Sequence, residues 1–586
     1  MSETATVPDA VPTQPAPVRE RPSAPSRWEL VLAALGAIAV TSGYVGLAAW
    51  HGALGAARND DWAYYRLAFD FATTGRLSFD PYTSTMLVGQ VAMARPVAAV
   101  FGHEIVPLQI AVAALSAVTL WMTYRVLRDL LQPFWALFCV ACLAAGPIWG
   151  NVSVSFMSDV PAMALQVLAL TAAVRAFRGP AIRWGWLVGS LVFCFLAFTV
   201  REYSAAAAGA ILLTLLVRVR RSVRLVLVAF GAGALWTAAV AALFLWRATL
   251  VAGDRALAAA PSTNLRMADV VVGLVTTMGF LLFPVIVAVV GRGLLRTLLR
   301  WCPLLAVLVA GFTWAALQNV SLLTGNYLRL GGSYSGTLTG SAPRVFSQEV
   351  WWVLVAIANV STAVLLTLLV VRVVSALRRR ATPSDAEPCE GAGAAAGDTP
   401  AALLLFFYFG LVTVLLTIGV CIVTGGRPFD RYLLPAVPFL AAAAVYTARR
   451  FMHFSARPAL AVVAVLAMGG VGLAQVDASA TFDGAKWRLG QQVSGRGYEP
   501  ATIDAGYEWF GFHQPGRVIY RPVRSDYPFW VTDLFRDSHL CASGRFAFRP
   551  VRSTPYAGEI ARVTQWGLLG VRYTLYARTA DRGCNR

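Results

Sequence analysis

Residues 183–224 read RWGWLVGSLVFCFLAFTVREYSAAAAGAILLTLLVRVRRSVR. An apolar run begins after Arg183, meets Arg201 and Glu202, resumes, and ends in Arg218, Arg220, Arg221 and Arg224. Each apolar half approaches the roughly 20 residues that a helix needs to cross a bilayer. The stretch therefore reads as two spans joined by a turn that carries an ionisable pair, with arginines at the far ends. Arginines close to span ends stay on the cytoplasmic side, so the Arg201–Glu202 turn is expected outside.

The same pattern extends in both directions. Thirteen candidate spans are expected at about 28–50, 104–124, 133–149, 158–177, 184–200, 202–217, 223–247, 269–290, 301–324, 349–374, 401–424, 432–448 and 458–476. The third and fifth are short, and the break at Arg201 also allows one kinked helix. Six alternate loops hold nineteen arginines: Arg125 and Arg128; Arg175, Arg178 and Arg183; Arg218, Arg220, Arg221 and Arg224; Arg292, Arg296 and Arg300; Arg372 and Arg378 to Arg380; Arg449, Arg450 and Arg457. This places the N-terminus in the cytoplasm and the C-terminus outside, in a multi-pass protein of the plasma (inner) membrane.

Composition agrees. The 586 residues are 58% hydrophobic and only 13% charged, whereas soluble domains carry about 25% charged residues. The net charge of +19 is largely topology, so it is no argument for nucleic acid. Of the basic residues only Lys486 is a lysine. The eight cysteines form no CxxC pair and no metal-ligand spacing. Residues 1–27 are Pro-rich and expected to be a disordered cytoplasmic tail, and 381–400 a cytoplasmic linker. Residues 28–476 are expected to form the transmembrane domain, with 51–103 as a long first outer loop. Residues 477–586 have ordinary polar composition and short alternating runs, and are long enough for a small exported β-rich or α+β domain. Its two cysteines, Cys541 and Cys584, would be on the oxidising side, but their pairing is left open.

Four outer clusters carry ionisable residues. In the first, NDDWAYYRLAFDFATTGRLSFDPYTS (59–84), Trp62, Tyr65, Phe69 and Ala72 fall on one helical face, which suits a helix lying in the membrane interface. Asn59, Asp60 and Asp61 sit at its start. They either cap the helix or hold a carboxylate ready to take a proton from a hydroxyl. In the second, Ser158 and Pro161 offer a helix start around Asp159. In the third, Arg201 and Glu202 either pair with one another or mark a functional site near membrane depth. In the fourth, TGGRPFDRYLLPAVPFL (424–440), Arg427, Asp430 and Arg431 stand beside prolines and Tyr432; they are either interface anchors or paired donors for a phosphate. The inner loops lack a GxxxxGK[ST] phosphate loop. In the tail, the aromatics Tyr507, Trp509, Phe512 and His513 are either a sugar-stacking surface or the core of a β domain.

These motifs resemble the C-type glycosyltransferase superfamily, in particular its protein O-mannosyltransferase and lipid A aminoarabinose transferase branch. The resembling residues are the acidic pair Asp60-Asp61 before an aromatic helix, Ser158-Asp159-Val160-Pro161 as an (S/T)DxP motif, Arg201 at a later turn, and Arg431-Tyr432-Leu433-Leu434-Pro435 as an (R/K)YxLP-like segment. The family usually has Asp-Glu where this chain has Asp-Asp. The resemblance covers about 28–240 well and 425–445 moderately. It implies an inverting transferase that moves a sugar from a polyprenyl-phosphate donor to an acceptor hydroxyl on a glycan, lipid or protein. By the same resemblance Asp60 would be the base, Asp61 or Asp159 would orient acceptor or sugar, and Arg201 with Arg431 would bind the donor phosphate. Tyr64, Tyr65, Glu202, Arg427, Asp430 and Tyr432 are the further candidate substrate contacts. The partners expected are membrane lipids, the donor lipid and the acceptor. No cofactor and no metal are expected, although His51 and His103 stand near the acids. The rival expectation is a secondary transporter or lipid flippase, for which the repeated halves of such proteins are not visible in the sequence.

Overall fold

The computed structural model describes residues 24–80, 83, 85–251, 267–318, 320, 322–332, 344–381, 401–424, 428–452, 454–515, 540–546, 556–568, 570 and 572–580. Most of the expected N-terminal tail and of the 381–400 linker, and all of Arg427 and Cys584, lie outside these residues.

Every one of the thirteen expected spans carries a helix. Nine helices among the described residues are long and apolar enough to cross a membrane, from Arg27–Trp50 to Pro458–Ser494. Three further spans are shorter helices, Pro133–Ala144, Trp184–Val200 and Met267–Leu281. The ninth span arrives as a pair, Arg292–Arg300 and Cys302–Leu317, bent by 81°. Between Trp184–Val200 and the next span the chain is extended at Arg201, with φ −153° and ψ 131°, so two helices meet there rather than one kinked helix.

The arginine-rich ends of the bundle interlock. Arg128 pairs with Glu29 near the start of the first helix, and Arg178 pairs with Asp129. Arg218 donates to the carbonyls of Phe177 and Gly179, both at 2.6 Å. Arg449 lies over Trp135 and Arg372 over Phe451.

At the opposite end the chain builds extramembrane structure. Residues 51–103 hold two helices, Asp61–Thr74 and Val88–Phe101. The last long helix, Pro458–Ser494, runs unbroken past residue 477. Against its second half lies a four-stranded sheet with strands β1 (Ile503–Asp504), β2 (Ala542–Phe546), β3 (Tyr556–Trp566) and β4 (Arg572–Ala580). The strand order is β1-β2-β4-β3, with β1 parallel to β2 and the other pairs antiparallel. With the short helix Tyr507–His513 this gives a small α+β unit.

Two close approaches fix this unit to the first loop. A Cβ on Gly484 would stand 1.8 Å from the His51 carbonyl oxygen, so the long helix can touch the loop only with glycine there. A Cβ on Gly511 would enter the Trp62 ring at 2.5 Å. The aromatic stripe is thereby explained differently from the interfacial expectation. Trp62, Tyr65 and Phe69 are buried in protein; Trp62 packs under the 507–513 helix, Tyr65 stacks on Phe156 at 4.9 Å, and Phe69 stacks on His103 at 5.0 Å. A helical stripe says which face is apolar, and here other protein segments rather than lipid cover it.

Candidate functional site

The first acidic pair divides. Asp60 precedes the Asp61–Thr74 helix but makes no side-chain cap. Its Oδ2 instead accepts from Arg431 Nη2 at 3.3 Å, and Oδ1 accepts from the Tyr507 hydroxyl at 3.5 Å. Its side chain keeps 28% of its surface exposed. Asp61 is fully buried. One of its oxygens accepts from the Arg58 backbone N–H, the other from the Phe156 N–H at 3.0 Å. Burial pushes the Asp61 carboxyl well above the usual carboxylate range against the pull of these bonds. Asp61 thus ties the first loop to the 153–157 turn, while Asp60 faces Arg431 and Tyr507. The difference arises at Asn59, whose φ of 55° is a left-handed conformation that Asn tolerates better than most residues. Its amide donates to the Tyr327 hydroxyl at 3.4 Å.

The second and third clusters meet. Ser158 makes no helix cap; its hydroxyl accepts from Arg201 Nη1 at 2.7 Å. Arg201 is 2% exposed and also reaches the Tyr64 hydroxyl at 3.4 Å. It forms no ion pair with Glu202 among the described residues, so the mutual-pair reading does not hold. Its guanidinium sits 5.7 Å from the Tyr203 ring and 5.4 Å from the Tyr432 ring. Asp159, 3% exposed, accepts from the Tyr203 hydroxyl at 3.2 Å through Oδ1. Its Oδ2 has no hydrogen-bond partner among the described residues.

The fourth cluster also separates. Asp430 is buried and accepts from the backbone N–H groups of Tyr327 and Leu328 at 3.0 and 2.7 Å, which makes it a loop anchor. Arg431, 2% exposed, turns towards the other clusters. One nitrogen meets Asp60, while Nε and Nη1 have no hydrogen-bond partner among the described residues. Tyr432 is half-buried beside both arginines.

Of the remaining candidates, Tyr64 is buried beside Arg201, and burial raises its phenol so that it stays protonated. Tyr65 is packed in the core. Arg427 lies outside the described residues. Among the tail aromatics, Trp509 packs on Trp487 and His513, which is core; Tyr507 reaches Asp60. Cys541 is disulfide-bonded.

Several participants carry no sequence signal. Arg247, at the end of the Val223–Thr249 helix, donates to the carbonyls of Thr83, Thr85 and Met86; the Thr85 hydroxyl in turn meets Tyr64 at 3.4 Å. Arg58 forms a buried hub, giving Nε to Asp483 at 2.8 Å and Nη2 to Ser479 and Asn151 at 3.0 and 3.1 Å. Lys486 binds Glu508 at 2.6 Å and stands 3.4 Å from Asp483. Among the described residues no group of three His, Cys, Asp or Glu side chains is arranged to hold a metal ion.

Chemically, the cluster sets one partly exposed carboxylate, Asp60, beside two buried guanidiniums, with a second carboxylate and the tyrosines Tyr64, Tyr203, Tyr432 and Tyr507 around them. Such a set can accept a proton and hold an oxyanion.

Comparison with known proteins follows the same segments. Residues 91–246, just over a quarter of the chain, match the family described as dolichyl-phosphate-mannose-protein mannosyltransferase. This stretch includes Asp159 and Arg201. No curated protein sequence matches the chain. Among solved structures, ArnT from Cupriavidus metallidurans bound to undecaprenyl phosphate overlaps 96% of this chain and 100% of its own, at 13% identity and a TM-score of 0.38. The archaeal oligosaccharyltransferase AglB from Archaeoglobus fulgidus, in complex with an inhibitory peptide and a dolichol-phosphate, overlaps 86% of this chain and 62% of its own, at 14% identity and a TM-score of 0.31. Overlaps this loose carry no correspondence of residues. The family match bears out the resemblance to the C-type glycosyltransferase superfamily, and with it a multi-pass membrane glycosyltransferase.

Proposed function

We propose that this protein transfers a sugar from a polyprenyl phosphate to an acceptor hydroxyl, with inversion, in the cleft at the extracytoplasmic end of the bundle. The observation that carries the proposal is the convergence of Asp60, Asp159, Arg201 and Arg431 from four separate elements, with two Arg431 nitrogens that have no hydrogen-bond partner among the described residues.

In this reading Asp60 takes the proton of the acceptor hydroxyl as its oxygen attacks the anomeric carbon. The carbon–oxygen bond to the phosphate breaks on the opposite face, and its electron pair goes to the phosphate oxygen. Arg201 and Arg431 stabilise the charge that builds there. Fixed donors aimed at developing charge in a poorly hydrated site are usually the largest catalytic contribution. Asp60 suits the base because it is the exposed member of the pair, whereas both oxygens of Asp61 are engaged by backbone donors. Asp159, held by Tyr203, is placed to take a sugar hydroxyl. The lipid tail of the donor would lie among the spans.

The topology belongs to the proposal too. The interlocked arginine ends support a cytoplasmic N-terminus and an exported tail domain, as the positive-inside rule requires.

The test is sugar transfer by the purified protein in nanodiscs, with a panel of polyprenyl-phosphate sugars and cell-envelope acceptors. Product with the wild type and none with Asp60→Asn supports the reading. Equal product from both overturns Asp60 as base, and lipid flux in vesicles without product from any donor favours a flippase.

A further inference from the structure

The turn between β3 and β4 changes character along one face. On β3, Ala561, Val563 and Gln565 are buried towards the long helix, while Arg562 and Thr564 are exposed. Continuing the outward face, the next two side chains are Trp566 and Leu568, 59% and 47% exposed. The strand thus passes from charged and polar to large and apolar as it reaches its tip.

The level of that tip is fixed by three hydrogen bonds. The Leu568 N–H donates to Asp477 Oδ2 at 2.8 Å. Gln565 donates to the His51 carbonyl at 2.7 Å, and His51 is also 2.8 Å from Asp477. His51 follows directly on the first spanning helix, Arg27–Trp50, and Trp50 is 65% exposed. On the long helix, Pro458 to Asp477 covers about 29 Å at 1.5 Å per residue, close to the roughly 30 Å hydrocarbon thickness of a bilayer. Val463, Leu466 and Leu473 on that stretch are exposed, and Arg457 caps its far end. Asp477 and Trp50 therefore stand at the edge of the hydrocarbon region, and the β3–β4 tip stands beside them.

We infer that the β3–β4 tip of the tail domain docks into the lipid interface, with Trp566 and Leu568 as its inserted side chains. Trp is the residue that favours this depth, because its ring is amphipathic. Arg572 lies with its guanidinium 5.7 Å from the Trp566 ring, a position from which a cation reaches phosphate headgroups while its stem covers apolar surface. The occupant is the bilayer rather than a second protein, because the tip is bonded to Asp477 and His51, which lie one turn beyond the exposed Leu473 and next to the exposed Trp50 at the ends of two spanning helices. This docking would hold the unit that carries Tyr507 at a fixed height over the cleft.

The test uses the full chain in phosphatidylcholine–phosphatidylglycerol vesicles. An environment-sensitive fluorescent amino acid replaces Leu568 in one preparation and Thr564 in another; both sites are exposed, so neither replacement disturbs the core. Lipids with a nitroxide high on the acyl chain are expected to quench the probe at 568 severalfold more than at 564, while aqueous iodide shows the reverse order. Equal iodide quenching at both sites overturns the inference, since the tip would then stand in water. Protection of the 568 probe from both quenchers also overturns it, because a second copy or another protein would then cover the tip.

Discussion

Two polar networks lie at the same end of the molecule and use the same kinds of residue, yet they are built differently. Around Arg58, carboxylates and cations touch: Asp483 meets Arg58 at 2.8 Å and Glu508 meets Lys486 at 2.6 Å. In the cleft, charges are held apart by hydroxyls. Arg201 rests on Ser158 and Tyr64, Asp159 on Tyr203, and Asp60 meets Arg431 at 3.3 Å while two nitrogens of that guanidinium have no hydrogen-bond partner among the described residues. A buried ion pair with good geometry fixes how segments fit together. A set of charges oriented by neutral hydroxyls keeps its binding capacity for something else. The first network joins the C-terminal α+β unit to the first loop; the second is where the proposed chemistry would take place. Arg58 links them, since its side chain belongs to the hub and its backbone N–H holds Asp61 beside Asp60.

The contrast is breakable by mutation. Asp60→Asn removes the proposed base and changes no tight pair. Turnover should fall about 10²–10⁴-fold, the usual contribution of a positioned base, with the unfolding temperature in nanodiscs nearly unchanged. Transfer assays and thermal unfolding on one preparation check both halves. Asp483→Ala should do the opposite. It leaves Arg58 buried without its main counter-charge, which costs about 3–5 kcal/mol. Thermal unfolding should show the loss, and limited proteolysis should show the C-terminal α+β unit released from the first loop. If Asp483→Ala were as stable as the wild type, the hub would not be the joint described.

Arg431→Gln tests the cleft from its cationic side. Removing one donor to a developing oxyanion typically costs about 10²–10³ in kcat. The expected signature is a loss in kcat with donors of any sugar and only a small change in stability, measured by steady-state transfer. A loss of the same size in unfolding temperature would instead place Arg431 with the structural network.

How much of this the sequence revealed depends on how locally each feature is encoded. The helices at all thirteen expected positions were legible because hydropathy is written residue by residue, and the short third and fifth showed as short runs. That Asp60, Asp159, Arg201 and Arg431 lie at one end of the bundle was legible because each stands next to an expected span at the end away from the arginine-rich loops. What each does with its neighbours was not. Ser158 looked like a helix cap and instead holds Arg201; Asp61 and Asp430 looked like cleft residues and instead bind backbone N–H groups. The 477–494 extension of the last helix was hidden because Asp477, Asp483 and Lys486 read as solvated tail, whereas their partners lie at positions as distant as 51 and 58. Pairings across more than four hundred residues leave no local pattern.

Tyr507 is the sharpest point of contact between the two networks and gives the smallest expected effect. It sits on the 507–513 helix next to Glu508 of the hub, packs edge-on against Trp62 at 5.6 Å, and offers its hydroxyl to Asp60. Burial raises its phenol well above the ordinary value, so at neutral pH it stays a donor. Tyr507→Phe keeps the ring packing and removes the hydroxyl with its hydrogen bond to Asp60, worth about 0.5–1.5 kcal/mol in most settings and somewhat more when the partner is charged. The expected result is a fewfold loss of kcat with an unchanged unfolding temperature, whereas Tyr507→Ala should lower both by opening a hole beside Trp62. If Tyr507→Phe behaves like the wild type in transfer, the C-terminal unit acts on the proposed site only by covering it. If it loses activity while staying folded, the unit contributes a functional group to the site, and the division between a structural hub and a chemical cleft runs through this one helix.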